Sequence, residues 1–274
     1  MEKILLIDAM NSIYRAKVSF AKKEEGQEDF NIVFNFFRNL RAHIEEFRPT
    51  KVFFCLEGKN SFRKEIYGDY KANRIIKISS EKELKSKEDF NRQKDIILNL
   101  LRCLPITQVY ADRFEADDVL ITLSFNLKDE EVIIVSNDGD LIQILQKGLS
   151  NVKIYNPFKK QFVENPDYHV LTFKCFGDKS DNVPKLASEK KAIEFASDPK
   201  KLLEFLSIEE NRANYNLNKQ LVELQMVPED QLQFIECKPN FDYLRQEFNR
   251  MEFKTMVNDD YWERFVETFS RLTP

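Results

Sequence analysis

Nine acidic side chains of this 274-residue chain stand in five short clusters, and their type and spacing could support metal-ion chemistry. They are Asp8; Glu57; Glu115, Asp117 and Asp118; Asp138 and Asp140; and Asp178 and Asp181. If folding brings them together, two charges about 5 Å apart repel by roughly 3 kcal/mol at an effective dielectric near 20. Divalent cations relieve such repulsion, and Mg²⁺ prefers oxygen ligands. The acids therefore predict metal-dependent phosphate chemistry.

The acidic clusters fall where strands are expected to end or helices to begin. Five short apolar runs predict strands, at 3–7, 52–56, 106–110, 132–135 and 152–155. Runs that are apolar on both faces are typical of a covered parallel sheet. Helical patterns lie between them, over 30–47 and 114–127. The alternation predicts an α/β fold with a mostly parallel central sheet flanked by helices.

Three of the acids mark one edge of this predicted sheet. Asp8, Glu57 and Asp138 occupy strand ends or the turns just after them. Ligands of open α/β sheets bind beyond the carboxyl ends of the strands. We therefore expect these side chains to converge.

The rest of the chain divides into a long insertion and a helical region. Residues 57–105 form a connection that is too long for an ordinary loop, and such connections are usually functional or mobile. The strand signal ends near Pro166, and short helical patterns follow at 202–206, 211–224, 243–253 and 261–269. We predict a core over 1–165, which includes the insertion, and a helical region over 166–274.

Composition limits the class of protein. The formal charge is −4, but without the nine clustered acids 37 acids remain against 42 Lys and Arg, so the remainder is mildly basic. The four cysteines are widely spaced, which is typical of reduced intracellular thiols. No signal peptide is evident, and no apolar run approaches membrane-spanning length. We expect a soluble cytoplasmic protein.

A basic segment over 61–74 supplies the opposite charge to the acids. It contains Arg63, Lys64, Tyr70, Lys71 and Arg74. Cations interleaved with aromatic rings can clamp phosphates and stack on bases. A solvated helix face would have the same composition, so the segment alone leaves both interpretations open.

Each acidic motif also has an interpretation without chemistry. Asp112 and Glu115 have capping-box spacing, and acids in a first helical turn complement the helix dipole. The loop over 136–141 could be a plain turn, and 177–182 could be a helix start. Their joint occurrence favours the metal site over chance.

The ordered set of motifs resembles one family. The motifs are Asp8, Glu57, Arg63, Tyr70-Lys71-x-x-Arg74, Glu115-Ala-Asp-Asp118, Asp138-Gly-Asp140 and Gly177-Asp178-x-x-Asp181-Asn182. This order, over roughly residues 3–185, resembles the flap endonuclease or 5′-nuclease family. The likeness is strongest to the T-even type of phage ribonuclease H, and it extends to the 5′-nuclease domain of bacterial DNA polymerase I.

The resemblance implies a resolvase-like nuclease core with two Mg²⁺ ions, for which Mn²⁺ can substitute, and a flexible arch formed by the insertion. The first ion would be held by Asp8, Glu57, Glu115 and Asp117, and the second by Asp140, Asp178 and Asp181. Asp118 and Asp138 would lie between the ions or in an outer shell. It also implies that Lys71 and Arg74 contact the scissile phosphate, and that Asp138 and Asp140 are catalytic.

Two departures from the family pattern matter. The family usually has Asp at the position of Glu57. The helix–three-turn–helix module of the family continues into a glycine-rich hairpin that holds K⁺, whereas 183–190 contains no glycine, which argues against that K⁺ site. Lys185, Lys190 and Lys191 would instead hold the duplex backbone by charge.

The resulting hypothesis is a Mg²⁺-dependent, structure-specific 5′-nuclease with ribonuclease H-type primer removal, acting as a monomer on 5′ ends of duplex, flap or RNA-primed DNA in replication. A phage origin would place it in a bacterial host. Its partners would include single-strand-binding protein, clamp or polymerase. Two alternatives stay open: a PIN-type single-strand ribonuclease, which shares the acid pattern, and a non-catalytic structure-specific DNA-binding protein.

Overall fold

A computed structural model describes residues 1–18, 30–74 and 80–273, and a seven-stranded sheet lies at the centre of these residues. The strands are β1 (Lys3–Asp8), β2 (Lys51–Cys55), β3 (Thr107–Tyr110), β4 (Glu131–Val135), β5 (Val152–Asn156), β6 (Gln161–Phe162) and β7 (Gln233–Ile235). Their order across the sheet is β6-β5-β4-β1-β2-β3-β7. The five central strands are parallel, and the two edge strands are antiparallel. The predicted mostly parallel α/β sheet and its five strands are confirmed.

The expectation that strands cease near residue 166 is wrong. β7 pairs with β3, with Phe234 opposite Val109. The side chains of β7 are exposed or half-buried, and it is only three residues long. A strand held mainly by backbone hydrogen bonds at a sheet edge carries no apolar pattern, so the sequence does not reveal it.

Helices cover both faces of the sheet. They are α1 (Ala9–Val18), α2 (Asn31–Phe47), α3 (Arg63–Ile66), α4 (Glu81–Leu101), α5 (Ala116–Asn126), α6 (Ile142–Gln146), α7 (Val170–Lys174), α8 (Glu189–Ser197), α9 (Pro199–Leu206), α10 (Glu209–Val222), α11 (Phe241–Arg250), α12 (Lys254–Val257) and α13 (Asp259–Ser270). Leu5 and Ile7 of β1 pack in the cluster that contains α2, and Ile4 and Leu6 pack in the cluster that contains α5. Successive strand residues point to opposite faces of the sheet, and helices cover both faces. The side chains on both faces of β1 are therefore buried, which explains its continuous apolar run. In the described ranges, no helix combines the length and the apolar character needed to span a bilayer.

The second half of the long insertion is a helix anchored to the core. Gln93 of α4 caps α2, since its Oε1 atom accepts a hydrogen bond from the backbone N–H of Ile32 at 2.9 Å. Phe90 of α4 stacks on Tyr14 of α1, with 4.7 Å between the ring centroids. The role of residues 57–105 as an arch stays a prediction, and residues 75–79 lie outside the described part.

The helices beyond residue 166 pack in two separate places. α7, α8 and α10 form their own apolar cluster, which Tyr70 of the insertion joins. α11 to α13 pack instead on α2, where Phe248 lies 5.1 Å from Phe37 between ring centroids. The division of the chain near residue 166 stays a prediction, and the four helical patterns predicted after it correspond to α9, α10, α11 and α13.

Candidate active site

Six of the predicted metal ligands line one cleft of about 740 Å³, and two of them, Glu115 and Asp181, form ion pairs with lysine or arginine. The other four are Asp8, Glu57, Asp117 and Asp138, and we call them the open cluster. The parallel register places the end of β1 beside the ends of β2 and β4, with Asp8 opposite Cys55. Glu57 and Asp138 follow those neighbouring strands, and Asp117 lies in the first turn of α5. The predicted convergence of Asp8, Glu57 and Asp138 at the carboxyl ends of the strands is confirmed.

Asp8 is held firmly at the floor of the cleft. Its Oδ2 atom accepts a hydrogen bond from Ser136 Oγ at 2.8 Å, and its Oδ1 atom accepts one from the Asn11 backbone at 3.1 Å. Burial raises the pKa of Asp8 to about 6; these two hydrogen bonds oppose the rise, and the charges of Asp138 and Glu57 add to it. The neutral form is favoured because water is excluded and like charges are near.

Asp117 completes an excess of negative charge. Burial, followed by repulsion from Asp138 and Asp8, raises its pKa well above the ordinary value. Among the described residues, lysine and arginine form ion pairs with the other predicted metal ligands, which are Glu115, Asp118, Asp140, Asp178 and Asp181. None of these ion pairs involves the open cluster. In the described part of the chain, these four carboxylates therefore have no ion pair with a lysine or an arginine.

Gly58 fixes the loop that carries Glu57. Its backbone N–H donates to the Phe114 carbonyl at 2.9 Å, just before α5. A Cβ atom at position 58 would lie 1.8 Å from the Ala111 carbonyl oxygen, so a larger residue would force the loop away. The close approach brings Glu57 to the cleft that Asp117 lines.

A basic wall, which we define as Lys64, Lys71, Arg74 and Lys87, lines the same cleft. Lys71 has a positive φ of 56°, and its backbone N–H donates to the Asp181 carbonyl at 2.9 Å. Asn182 Nδ2 donates to the Asp69 carbonyl at 2.7 Å. These bonds tie the segment over 69–74 to the loop over 178–182, so two motifs far apart in sequence position Lys71 together.

Two residues of the basic wall, Lys71 and Arg74, form ion pairs with buried acids that line the cleft. Lys71 Nζ lies 2.7 Å from Glu115 Oε2 and 3.8 Å from Asp181 Oδ2, and Arg74 pairs with Asp181. Although burial favours neutral Glu115, the charge of Lys71 lowers its pKa. Tyr70 is 3% exposed and donates its hydroxyl to Glu115 Oε2 at 3.1 Å. Its ring is thus buried, which argues against the predicted stacking on a base.

Arg63 and Asp118 form a buried ion pair away from the cleft. Arg63 donates to both carboxylate oxygens of Asp118, at 2.6 and 2.8 Å, and to the carbonyl oxygens of Leu221 and Glu223. Asp118 also accepts from the Glu115 backbone and forms the capping box of α5, so the box lies three residues later than predicted. Both side chains are used within the fold, which argues against the predicted roles of Arg63 in DNA binding and Asp118 in metal binding.

Asp140 and Asp178 form a second site, which we call the closed cluster. Lys174 Nζ lies 2.7 Å from Asp178 Oδ2 and also pairs with Asp140 Oδ1. Burial raises the pKa of Asp140 to about 6, against the opposing effect of Lys174. Burial also disfavours charged Asp178, but hydrogen bonds from Lys174 and Ser180 lower its pKa to about 2. Sequence reasoning missed Lys174, since a single lysine in an apolar run has no distinctive pattern.

The three lysines predicted to hold a duplex, Lys185, Lys190 and Lys191, are exposed beside the closed cluster's loop or on α8. The backbone of Lys185 passes close to Gly177, which has a positive φ of 127°. A Cβ atom at position 177 would lie 2.8 Å from the Lys185 Cα, so only glycine fits there without a shift. Contact of these lysines with nucleic acid stays a prediction. Sequence reasoning also missed several cleft residues: Asn11, Tyr14, Arg15, Lys87 and Phe158.

The open cluster fits a hard divalent cation by its chemistry. Its donors are carboxylate oxygens, two of which belong to acids whose pKa is raised by burial and mutual repulsion. Within the described residues, no group of three or more His, Cys, Asp or Glu side chains has the placement to hold a metal ion. Mg²⁺ usually keeps several waters and binds through one or two carboxylates, so a ready-made cage is not required.

Comparison with known proteins identifies the relatives of this chain. Residues 3–172 match the model of the 5′-3′ exonuclease, N-terminal resolvase-like domain. The chain is 29% identical over 249 residues to a 5′-3′ exonuclease of Bacillus subtilis, which covers 82% of this chain and 80% of the relative. It is 28% identical over 199 residues to DNA polymerase I of Bacillus caldotenax. That match covers 67% of this chain, which spans only 22% of the polymerase.

Solved structures share the fold. A bacteriophage T5 flap endonuclease in complex with DNA and metal ions aligns with a TM-score of 0.65 and 16% identity, over 98% of this chain and 99% of that one. A T5 5′-exonuclease with bound zinc ions aligns with a TM-score of 0.62 and 17% identity, over 98% of both chains. The family match covers more than half of the chain, and the sheet and the acid-lined cleft agree with it. The chain therefore belongs to the flap endonuclease and 5′-3′ exonuclease family of nucleases.

Proposed function

We propose that this protein is a Mg²⁺-dependent 5′-nuclease that acts on 5′ ends of duplex, flap or RNA-primed DNA in replication, including ribonuclease H-type primer removal. One observation carries the proposal: the open cluster and the basic wall line the same cleft. The acids suit a divalent cation, and the lysines and arginine suit a phosphate backbone. The T5 relative solved with DNA and metal ions supports both parts.

The open cluster would hold the first ion through Asp8, Glu57, Asp117 and Asp138, and Mn²⁺ could replace Mg²⁺. A bound ion supplies an activated water at neutral pH and neutralises charge on the phosphate. Ser136 and Asn11 keep Asp8 in place, so the carboxylate needs little rearrangement. The proposed place of a second ion is at Asp140, Asp178 and Asp181, where the ion would have to compete with the ion pairs that Lys174 forms with the first two.

Lys71 and Arg74 would contact the phosphate that is cleaved. Fixed positive groups stabilise the charge that develops on a phosphoryl group in the transition state. The hydrogen bonds to the loop over 178–182 fix the backbone of Lys71, so its ammonium group is preorganised. Lys64 and Lys87, which are exposed at the cleft, would guide the strand by charge.

The helical region beyond residue 166 would hold the duplex through Lys185, Lys190 and Lys191. Binding through phosphate contacts weakens steeply with salt, so each lysine removed should reduce the salt dependence. We propose that the core over 1–165 cleaves, that the region over 166–274 binds duplex, and that the protein acts as a monomer alongside other replication proteins.

A cleavage assay tests the function. Labelled 5′-flap, nicked and RNA-primed duplexes are incubated with Mg²⁺ or with EDTA, and linear single-stranded RNA serves as the comparison substrate. We expect Mg²⁺-dependent cleavage near the 5′ end of the duplex substrates, and none by Asp138→Asn. Preferred cleavage of linear RNA would favour a PIN-type ribonuclease, and tight flap binding without cleavage in Mg²⁺ or Mn²⁺ would favour a non-catalytic binding protein.

A further inference from the structure

The closed cluster contains a lysine ammonium group between its two carboxylates. Lys174 Nζ lies 2.7 Å from Asp178 Oδ2 and pairs with Asp140 Oδ1. The side chains of Lys174, Asp140 and Asp178 are only 20%, 17% and 11% exposed. Salt screens such partly buried pairs less than it screens surface pairs. The contact is therefore a persistent feature of the site.

Three of the four carboxylate oxygens of the closed cluster, both of Asp178 and Oδ1 of Asp140, already have partners. Asp178 Oδ1 accepts hydrogen bonds from the backbone and the hydroxyl of Ser180. Asp140 Oδ1 is buried, and it is held by the ion pair with Lys174 rather than by a hydrogen bond of ordinary geometry. A divalent ion that bridged Asp140 and Asp178 would have to displace the ammonium group or lie beside its positive charge.

The fold holds Lys174 in this position. Gln146 of α6 accepts a hydrogen bond from the Val170 backbone at the start of α7, at 2.8 Å, and Asn218 of α10 donates to the Cys175 carbonyl at its end, at 2.8 Å. α7 is thus tied at both ends. The side chain of Lys174 reaches the two acids from a fixed backbone.

We propose that Lys174 occupies the place of a second divalent ion, so that this protein binds one ion tightly at the open cluster and a second ion only weakly. The inference rests on the proposed function for the identity of the first site. The contrast in counter-charge carries it: within the described residues the open cluster has no ion pair, whereas both acids of the closed cluster pair with Lys174.

Calorimetric titration with Mn²⁺, without substrate, tests the inference. We expect wild-type protein to bind one ion tightly. Lys174→Met keeps the apolar stem and removes the charge, so it should tighten binding of a second ion by about 10-fold or more. Lys174→Arg keeps the charge and should behave as wild type. Adding Asp140→Asn to Lys174→Met should remove the gained site.

Lys201→Ala is the matched control, because Lys201 pairs with Glu194 on an exposed surface and both are about half exposed. It should leave the titration unchanged. If Lys174→Met does not fold, as judged by circular dichroism, Lys174→Gln provides the same comparison. Two equally tight ions in wild type, or an unchanged titration in both uncharged variants, would overturn the inference.

The same titration separates this inference from the proposed function. If wild-type protein cleaves flaps with Mg²⁺ but Lys174→Met gains no ion, only the role of Lys174 fails. If wild-type protein and Asp8→Asn bind Mn²⁺ equally, the open cluster is not the first site, and the proposed function fails.

Discussion

The open and closed clusters both consist of carboxylates, but only the carboxylates of the closed cluster form ion pairs among the described residues. Asp8 and Asp117 lie in a cleft without a paired lysine or arginine among the described residues, and their pKa values are raised. Asp178 of the closed cluster pairs with Lys174, and its pKa is lowered to about 2. Asp140 also pairs with Lys174, but burial still raises its pKa to about 6, so the two clusters differ in their ion pairs more than in their pKa values.

Arg63 and Asp118 extend the comparison to a third state. Their ion pair is fully buried, and both side chains are hydrogen-bonded to other groups of the protein. The predicted metal ligands thus have at least three environments: an open cleft, a pair bridged by lysine, and a buried structural ion pair with arginine.

We expect the two clusters to differ most in what they contribute to the cleavage rate. Asp138→Asn should lower the single-turnover cleavage rate about 10³-fold, because it removes charge from the open cluster. Asp140→Asn should cost clearly less, since Lys174 already neutralises that carboxylate. Rapid-quench cleavage of a labelled flap in Mg²⁺ measures both rates, with circular dichroism as the folding control. Equal losses would erase the distinction between the clusters.

Arg63→Ala should destabilise the protein by about 3–5 kcal/mol, because it leaves the Asp118 charge buried without its partner. Chemical denaturation measures the change in the free energy of unfolding. Arg113→Ala is the control, since Arg113 pairs with Glu65 on the surface and such pairs contribute about 0–1 kcal/mol. Loss of flap binding with unchanged stability would instead support the DNA-binding role predicted from the sequence.

Lys71→Ala should slow cleavage about 10²-fold and barely change duplex affinity, since its ammonium group lies at the cleft rather than on an outer surface. Lys64→Ala, on the exposed edge, should mainly weaken binding. Single-turnover rates and fluorescence anisotropy measure the two quantities separately. An unaltered rate in Lys71→Ala would remove Lys71 from the chemistry.

The smallest expected effect concerns the pH dependence of stability. Since the fold raises the pKa of Asp8 to about 6, the folded state binds a proton more tightly than the unfolded state, and stability falls as the pH rises from about 4 through 6. Asp8→Asn should therefore stabilise the protein in EDTA at pH 8 by on the order of 2–3 kcal/mol, and have little effect near pH 4.

Thermal unfolding at both pH values, with and without Mg²⁺, checks this prediction. Mg²⁺ should raise the melting temperature of wild type at pH 8 and not that of Asp8→Asn, because a ligand stabilises the state that binds it. A lower melting temperature for Asp8→Asn in EDTA at pH 8 would show that the charge of Asp8 is not destabilising.

Much of the fold follows from local patterns. The five central strands are short apolar runs, and α2 and α5 have clear helical periods, so their existence follows from the burial that each pattern requires. β6 and β7 escape prediction because edge strands rely on backbone pairing. The charged stretch over 82–94 contains few apolar residues, so the packing of α4 through Gln93 and Phe90 is not evident from it.

That acids follow the strands could be read from the sequence, since strand ends are local features and parallel strands share one carboxyl edge. The order of the motifs also indicates the family. Which acids form ion pairs depends on the packing of distant segments: Arg63 and Asp118, and likewise Lys174 and Asp140, are separated by more than thirty residues. An ion pair depends on a distance of a few ångströms, and packing between distant segments sets that distance.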